Sequence, residues 1–304
     1  WPRNRGRLRA AEQALRAWTR IHPGDPYWPI PFRLALVIAD WLVRQDWWLA
    51  AAPGVVLAML LGSSPFLSEI LIRSPEYFHW LQGELDRSPP DHIAYGRELD
   101  RLLSEDSRDT RRRDALNRFQ RREILRIAGR DLLGTDTLRS TTEQLSNLAD
   151  AMASGALRVA MAELRTEDPL PGAFTVIGMG KLGGRELNYS SDIDLVYVYE
   201  PTEPEDGTAH NRFQKLGRRL TALLGEHTAE GYLYRVDLRL RPMGPRGSLA
   251  LSLAQCAQYY ESMGETFERF ALIKARPVAG DAALGQRFVE MVRPFVYRKY
   301  LDHA

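Results

Sequence analysis

Cysteine is almost missing: Cys256 is the single one in 304 residues. No intramolecular disulfide framework can form, and the composition suits a reducing compartment. Lysine is nearly as rare. Four of the 41 basic residues (Lys181, Lys215, Lys274 and Lys299) are lysine, and the other 37 are arginine. That bias discounts any local arginine cluster as a binding signal. A formal net charge of +2 gives no bulk attraction to nucleic acid, and no nucleic-acid partner is expected. The six histidines are scattered, with no two at ligand spacing, which argues against a zinc site. Long apolar runs are lacking too. The most apolar stretch, residues 47–61, is too short for a membrane span, is broken by Pro53 and Gly54, and reads as buried core. The arginine-rich opening residues contain no apolar segment, so no secretory signal is expected. A cytoplasmic location without a membrane partner is the expectation, and no internal repeat is visible.

What the chain does have is length and two textures. A hydrophobic fraction of 44% with 26% charged residues suffices for two ordinary domains with cores. Residues 1–170 read as helical. Apolar positions recur at Leu8, Ala11, Leu15 and Trp18, and again across 66–80 and 138–164. Clusters rich in proline and glycine at 22–31 and 87–91 punctuate them. Eight arginines fall between positions 111 and 130, against Asp114 and Glu123, with Leu116, Phe119, Ile124, Ile127 and Ala128 among them. Two readings stay open there: a face for nucleic acid or an acidic partner, and a solvated helix in an arginine-biased chain.

From Glu167 the texture changes. After "EDPLPG", residues 174–179 and then "IDLVYVYE" read as buried strands, and "YLYRVDLRL" reads as a third with strict alternation. Helices are expected over 209–227, 252–263 and 282–298. The first strand ends in "VIGMGKLGG", where Gly178, Gly180 and Gly183 spell the G-x-G-x-x-G of a dinucleotide-binding loop. Glu200 even falls near the place of a ribose-binding acid. A dinucleotide fold, however, needs a crossover of roughly a dozen residues before the next strand. Nine residues separate Gly183 from Ile193, and they include the turn formers "NYSSD". A pyrophosphate site also has no use for the two carboxylates of Asp192 and Asp194.

Extended backbone would turn Asp192 and Asp194 to one face. Two converging carboxylates repel unless a cation lies between them, and a hard divalent ion such as Mg²⁺ takes such oxygens. A plain pair of surface aspartates at a strand start is the simpler alternative. On the third strand Tyr232, Tyr234, Val236, Leu238 and Leu240 alternate with Arg235, Asp237, Arg239 and Arg241. One more acid on a neighbouring strand would complete the ligand set of a two-metal phosphoryl or nucleotidyl transfer site. Arginines beside it suit phosphates, and glycines admit a phosphate close to the backbone.

The stretches "GMGKLGGRELNYSSDIDLVYVY", "YRVDLRLRPMGPRGSLALS" and "YYESMGETFERFALIKARPVAGD" resemble the glutamate–ammonia-ligase adenylyltransferase family. Upstream, "SPFLSEILIRSPEYF" and "RFQRREILRIAGRDLLG" are similar to the helical segment preceding its catalytic core. The resemblance spans about 60 to 300. It implies an α+β fold: a helical region over 1–170, a DNA polymerase β-like nucleotidyltransferase core with a small mixed sheet over 171–281, and the start of a further helical region over 282–304. Metal-binding and catalytic acids are implied at Asp192, Asp194 and Asp237, holding Mg²⁺ or Mn²⁺. Phosphate or nucleotide handling is implied at Gly183, Gly184, Ser190 and Ser191, with Lys181 and Arg185 bordering that loop and Arg239 and Arg241 beside the third acid. Glu268 and Lys274 are expected to pair with each other. Family members carry two such cores, one attaching AMP to a tyrosine of glutamine synthetase and one removing it by phosphorolysis as ADP. "SSDIDL" and "ALIKARPVAGD" resemble the amino-terminal, deadenylylating copy. Implied partners are glutamine synthetase, inorganic phosphate, ADP or ATP, and the nitrogen-status signal protein PII. The alternatives are adenylylation from ATP, a non-catalytic partner-binding module and, more weakly, an RNA nucleotidyltransferase.

Overall fold

The computed structural model describes residues 48–105, 109–164, 170–203 and 207–297. The periodicity at Leu8, Ala11, Leu15 and Trp18 lies outside those residues, as does the first half of "EDPLPG". Helices come first: α1 (Trp48–Ser63), α2 (Pro65–Arg73), α3 (Glu76–Glu84), α4 (His92–Glu105), α5 (Asp109–Leu132) and α6 (Leu138–Leu164). Pro53 and Gly54 do not interrupt α1, contrary to expectation, and none of the described helices is long and apolar enough to cross a membrane.

The described residues form two compact units, one within 48–89 and 121–141 and one within 90–120 and 142–297. In the first, three arginines of α5 turn inward. Arg126 is 1% exposed and pairs with Glu123 at 2.8 Å, and Arg122 lies 4.7 Å over the Trp80 ring. Arg130 donates to the carbonyls of Leu85 and Arg87 and to Asp136 at 2.7–2.8 Å. These three are therefore neither a solvated face nor a docking face, because each is consumed by an internal partner that a shorter side chain could not reach.

The second unit holds the sheet. Its elements are β1 (Gly172–Gly178), α7 (Gly180–Gly183), β2 (Ile193–Pro201), α8 (Gly207–Gly225), β3 (Val236–Asp237), a 3₁₀ turn (Gly244–Arg246), β4 (Ala250–Ser252), α9 (Leu253–Ser262), α10 (Thr266–Leu272), β5 (Arg276–Gly280) and α11 (Ala282–Val296). The fold is α+β with a small mixed sheet. Strand order is β3-β2-β1-β5, with β4 also on β2. β1 runs antiparallel to β2 and β5, whereas β3 and β4 run parallel to β2. β3 meets Ile193 and Asp194, and β4 meets residues 197–199, so the two share the edge of β2 that β1 does not take.

The expected third strand is far shorter than its alternation suggested. Only Val236 and Asp237 pair, because the amides of Leu233 and Tyr234 go to the Leu224 carbonyl at the end of α8. Both faces of the sheet are covered. Ile177, Val196 and Val198 pack with Cys256 and Tyr260 of α9 and Phe288 and Val292 of α11. On the other face Tyr199 stacks on Phe213 of α8, with ring centroids 4.3 Å apart, and Phe174 stacks on the same ring. Burial on both sides explains why β2 reads as a continuous run of β-branched and aromatic residues.

Candidate active site

The acids meet where β2 begins. Register pairs Asp194 directly with Asp237, so two carboxylates from strands 43 positions apart stand side by side. Asp192 lies just before the strand, on the exposed approach. The Asp194 carboxyl is held above the ordinary carboxylate range, first by burial and then by the negative charges of Asp237 and Asp192, with Arg239 and Lys181 opposing. Asp237 moves the other way. Arg239 donates to both of its oxygens, to Oδ1 at 3.1 Å and to Oδ2 at 2.9 and 2.5 Å, and holds it below the usual range. Arg235 donates to Asp192 at 2.6 Å and to the Ser190 carbonyl at 2.7 Å. Both guanidiniums are exposed, 62% for Arg235 and 77% for Arg239.

Three oxygen-donor acids with like charge, two of them partly buried, suit a hard divalent cation. Among the described residues no three His, Cys, Asp or Glu side chains already gather as a metal group. The reason is visible in the ion pairs, since Arg235 and Arg239 each draw one acid to themselves. Both pairs are exposed, where opening them costs little, so the residues present fit such an ion.

The glycine turn lies against these acids, but not by the glycines expected. Gly180 has φ +52°, and a Cβ there would come within 2.6 Å of the Asp194 Oδ2. The amide after β1, Met179, donates to the Asp194 carbonyl at 2.9 Å. Gly183 faces elsewhere. A Cβ on it would overlap the Lys274 carbonyl oxygen, and its amide donates to Met179. Gly184 lies under the Lys274 side chain, with its amide given to Gly180. The amides of Gly183 and Gly184 are thus turned into the fold. The signal for Gly180 was the same G-x-G spacing, but spacing does not say which glycine meets which neighbour.

The remaining expected residues divide. Ser191 closes the turn at Asn188, donating to its side-chain oxygen at 2.6 Å, while Ser190 contributes only its carbonyl to Arg235. Lys181 Nζ stands 3.5 Å from the Ser191 hydroxyl, beside Asp194. Arg185, left-handed at φ 56°, reaches away to Asn147 on α6 at 2.5 Å. Arg241 is committed to its own loop, donating to the carbonyls of Leu238, Pro245 and Gly247, so the structure gives it a bracing role instead of an open guanidinium. Glu268 and Lys274 do not pair with each other. Lys274 meets Glu186 at 2.6 Å, and buried Glu268 accepts from Tyr259 and caps α10 through the Glu265 amide. Glu200 pairs with Arg287 at the opposite end of β2 from the turn, which removes the geometry of a dinucleotide site. Sequence reasoning missed Arg276, whose guanidinium lies among Asp150, Leu182 and Gly183.

Comparison with known proteins places residues 55–291 in a match to the family described as GlnE, glutamate-ammonia ligase adenylyltransferase. A bifunctional glutamine synthetase adenylyltransferase/adenylyl-removing enzyme of Nitrosococcus oceani is 40% identical over 262 residues, covering 81% of this chain and 27% of that protein. Those so named in Thioalkalivibrio sulfidiphilus and Xanthomonas campestris are 45% and 43% identical, each covering 62% of this chain and 21% of the relative. The chain therefore spans about a quarter of the length of the curated relatives it matches.

Proposed function

Because the chain belongs to the glutamate-ammonia ligase adenylyltransferase family, we propose that Asp192, Asp194 and Asp237 form the catalytic acids of a nucleotidyltransferase core at 171–281. The observation that carries this is the register of β2 on β3, which brings Asp237 beside Asp194 at the foot of the glycine turn. Asp192, Asp194 and Asp237 would hold a divalent cation, Mg²⁺ with Mn²⁺ as a substitute. When bound, such an ion offsets the charge that builds on phosphoryl oxygens during transfer.

The chain's own groups supply the rest. Arg235 and Arg239 are exposed cations next to the acids and suit the oxygens of a phosphate. Lys181 adds a third positive group on the turn side. Gly180 keeps the space over Asp194 free of a side chain, which lets a substrate phosphate approach. Positioning and charge suffice for this chemistry, with no covalent intermediate on the protein.

The substrate in this reading is glutamine synthetase carrying AMP on a tyrosine, with inorganic phosphate as the attacking group and ADP as product. The direction is supported by "SSDIDL" and "ALIKARPVAGD", which resemble the deadenylylating copy. It is supported too by the cations beside Asp237, since phosphate must approach a diester already negative. PII would be the regulator, acting outside this site. The test is incubation of the chain with adenylylated glutamine synthetase, with and without phosphate. Phosphate-dependent ADP release is expected. Free AMP without phosphate would mean hydrolysis, and AMP transfer from ATP onto unmodified enzyme would reverse the direction. Inactivity both ways, with no divalent-metal binding by calorimetry, would favour a non-catalytic module.

A further inference from the structure

Arg276 opens β5 directly opposite Gly178, the last residue of β1. Its fork grips Asp150 of α6 with two bonds, at 2.6 and 3.0 Å, and both side chains are largely buried. Two donors go to the backbone of the glycine turn, Nη2 to the Leu182 carbonyl at 3.0 Å and Nε to the Gly183 carbonyl at 3.3 Å, while Nη1 also reaches the Pro277 carbonyl of its own strand at 3.4 Å. Those carbonyls end the short helix α7, where the ladder stops, and the Leu182 carbonyl also accepts from the Arg185 amide at 3.2 Å. Two further groups of the same stretch of α6 hold the residues just beyond the turn. Ser146 Oγ accepts from the Leu187 amide at 3.2 Å, and Asn147 accepts from Arg185. The other end of the turn, Gly180, is the residue in contact with the Asp194 carboxylate.

We propose that Arg276, oriented by Asp150, is a positioning residue of the candidate active site. It fixes the carbonyl end of the 180–183 turn to α6, and so sets where Gly180 lies against Asp194. Arg276 itself touches no acid of the site. The inference rests on the reading of that site as an adenylyl-transfer centre. Lysine at 276 keeps the charge but has no fork, so it can satisfy Asp150 or the turn but not both.

The experiment compares the full chain with Arg276→Lys and Asp150→Asn, Arg276→Ala being held back as the variant prone to misfold. Amide exchange followed by NMR should quicken at Gly183 and Gly184 by about tenfold, with β1–β2 amides within about twofold. The kcat for adenylyl removal should fall by about tenfold or more, with KM for the protein substrate nearly unchanged. A loss of protection spread evenly over the sheet would make Arg276 a general stabiliser and overturn the proposal. So would a loosened turn with unchanged kcat. An inactive wild-type chain counts against the functional reading alone, and the exchange comparison still decides whether Arg276 holds the turn.

Discussion

Three glycines within five positions carry three different constraints. Gly183→Ala forces a Cβ into the Lys274 carbonyl, with the Gly178 carbonyl also close, and backbone on both sides cannot step aside. It should cost about 3 kcal/mol by chemical unfolding. Gly184→Ala meets only the flexible side chains of Lys274 and Glu186 and should be nearly silent in the same measurement. Gly180→Ala adds about 1–2 kcal/mol of left-handed strain. It also pushes on Asp194, so transfer activity should fall further than the stability loss explains. Equal effects at 183 and 184 would contradict this assignment. Asp194 gives a pH signature. Its folded carboxyl is raised, so the folded chain binds more proton than the unfolded one, and stability falls as pH rises above about 4. Asp194→Asn should therefore raise the melting temperature at pH 7 by roughly a degree or two and change nothing near pH 3.5. Scanning calorimetry at both values checks the sign. Asp237, depressed by Arg239, has the opposite dependence, with its contribution lost as pH falls through its folded value.

Helix α5 shows what composition conceals. A census of charges sees cations on a helix, whereas the fold uses Arg130 to satisfy buried carbonyls and Asp136. Arg130→Ala takes the donor from both carbonyls and leaves Asp136 with Ser140 in place of a guanidinium, and should cost about 3 kcal/mol in denaturant unfolding. A loss under 1 kcal/mol would show that water replaces the guanidinium. Strands β1 and β2 were legible because burial on both faces demands an unbroken run of β-branched and aromatic side chains. Asp192 and Asp194 were legible as a close pair at a strand start and Asp237 as an acid on the third strand, and the register sets Asp237 beside Asp194. The length of β3 was not legible. Alternation records which way side chains turn, but a strand also needs a free edge, and β4 takes the next stretch of that edge. Arg276 was hidden for a similar reason: nothing in "IKARPVAG" reveals that Asp150, 126 positions away, lies across from it.

For the molecule as a whole, covering about a quarter of its relatives' length, the sheet is the organising body. The proposed phosphate dependence belongs at this scale, since it would require acids, turn and arginines together. Arg239→Ala should raise the phosphate concentration for half-maximal ADP release by about tenfold, with little change in KM for the protein substrate. A matching rise in both would assign Arg239 to protein binding. The order of assembly is set by β3. β1 and β2 are joined by a short connection and zip along their whole length, while β3 contributes two residues paired across 43 positions of chain. Closing so long a loop for so little ladder is entropically unrewarding until α8 is in place. Asp237 should thus arrive after the rate-limiting step of folding, when Asp192 and Asp194 already have their strand. In kinetic terms, Val236→Ala should hasten unfolding and leave the refolding rate within about twofold, a φ-value near zero. The same substitution at Val196, inside the sheet, should slow refolding. The carboxylate that completes the proposed site would then be the last to be fixed and the first released, so the proposed chemistry would be lost reversibly while the core stays folded.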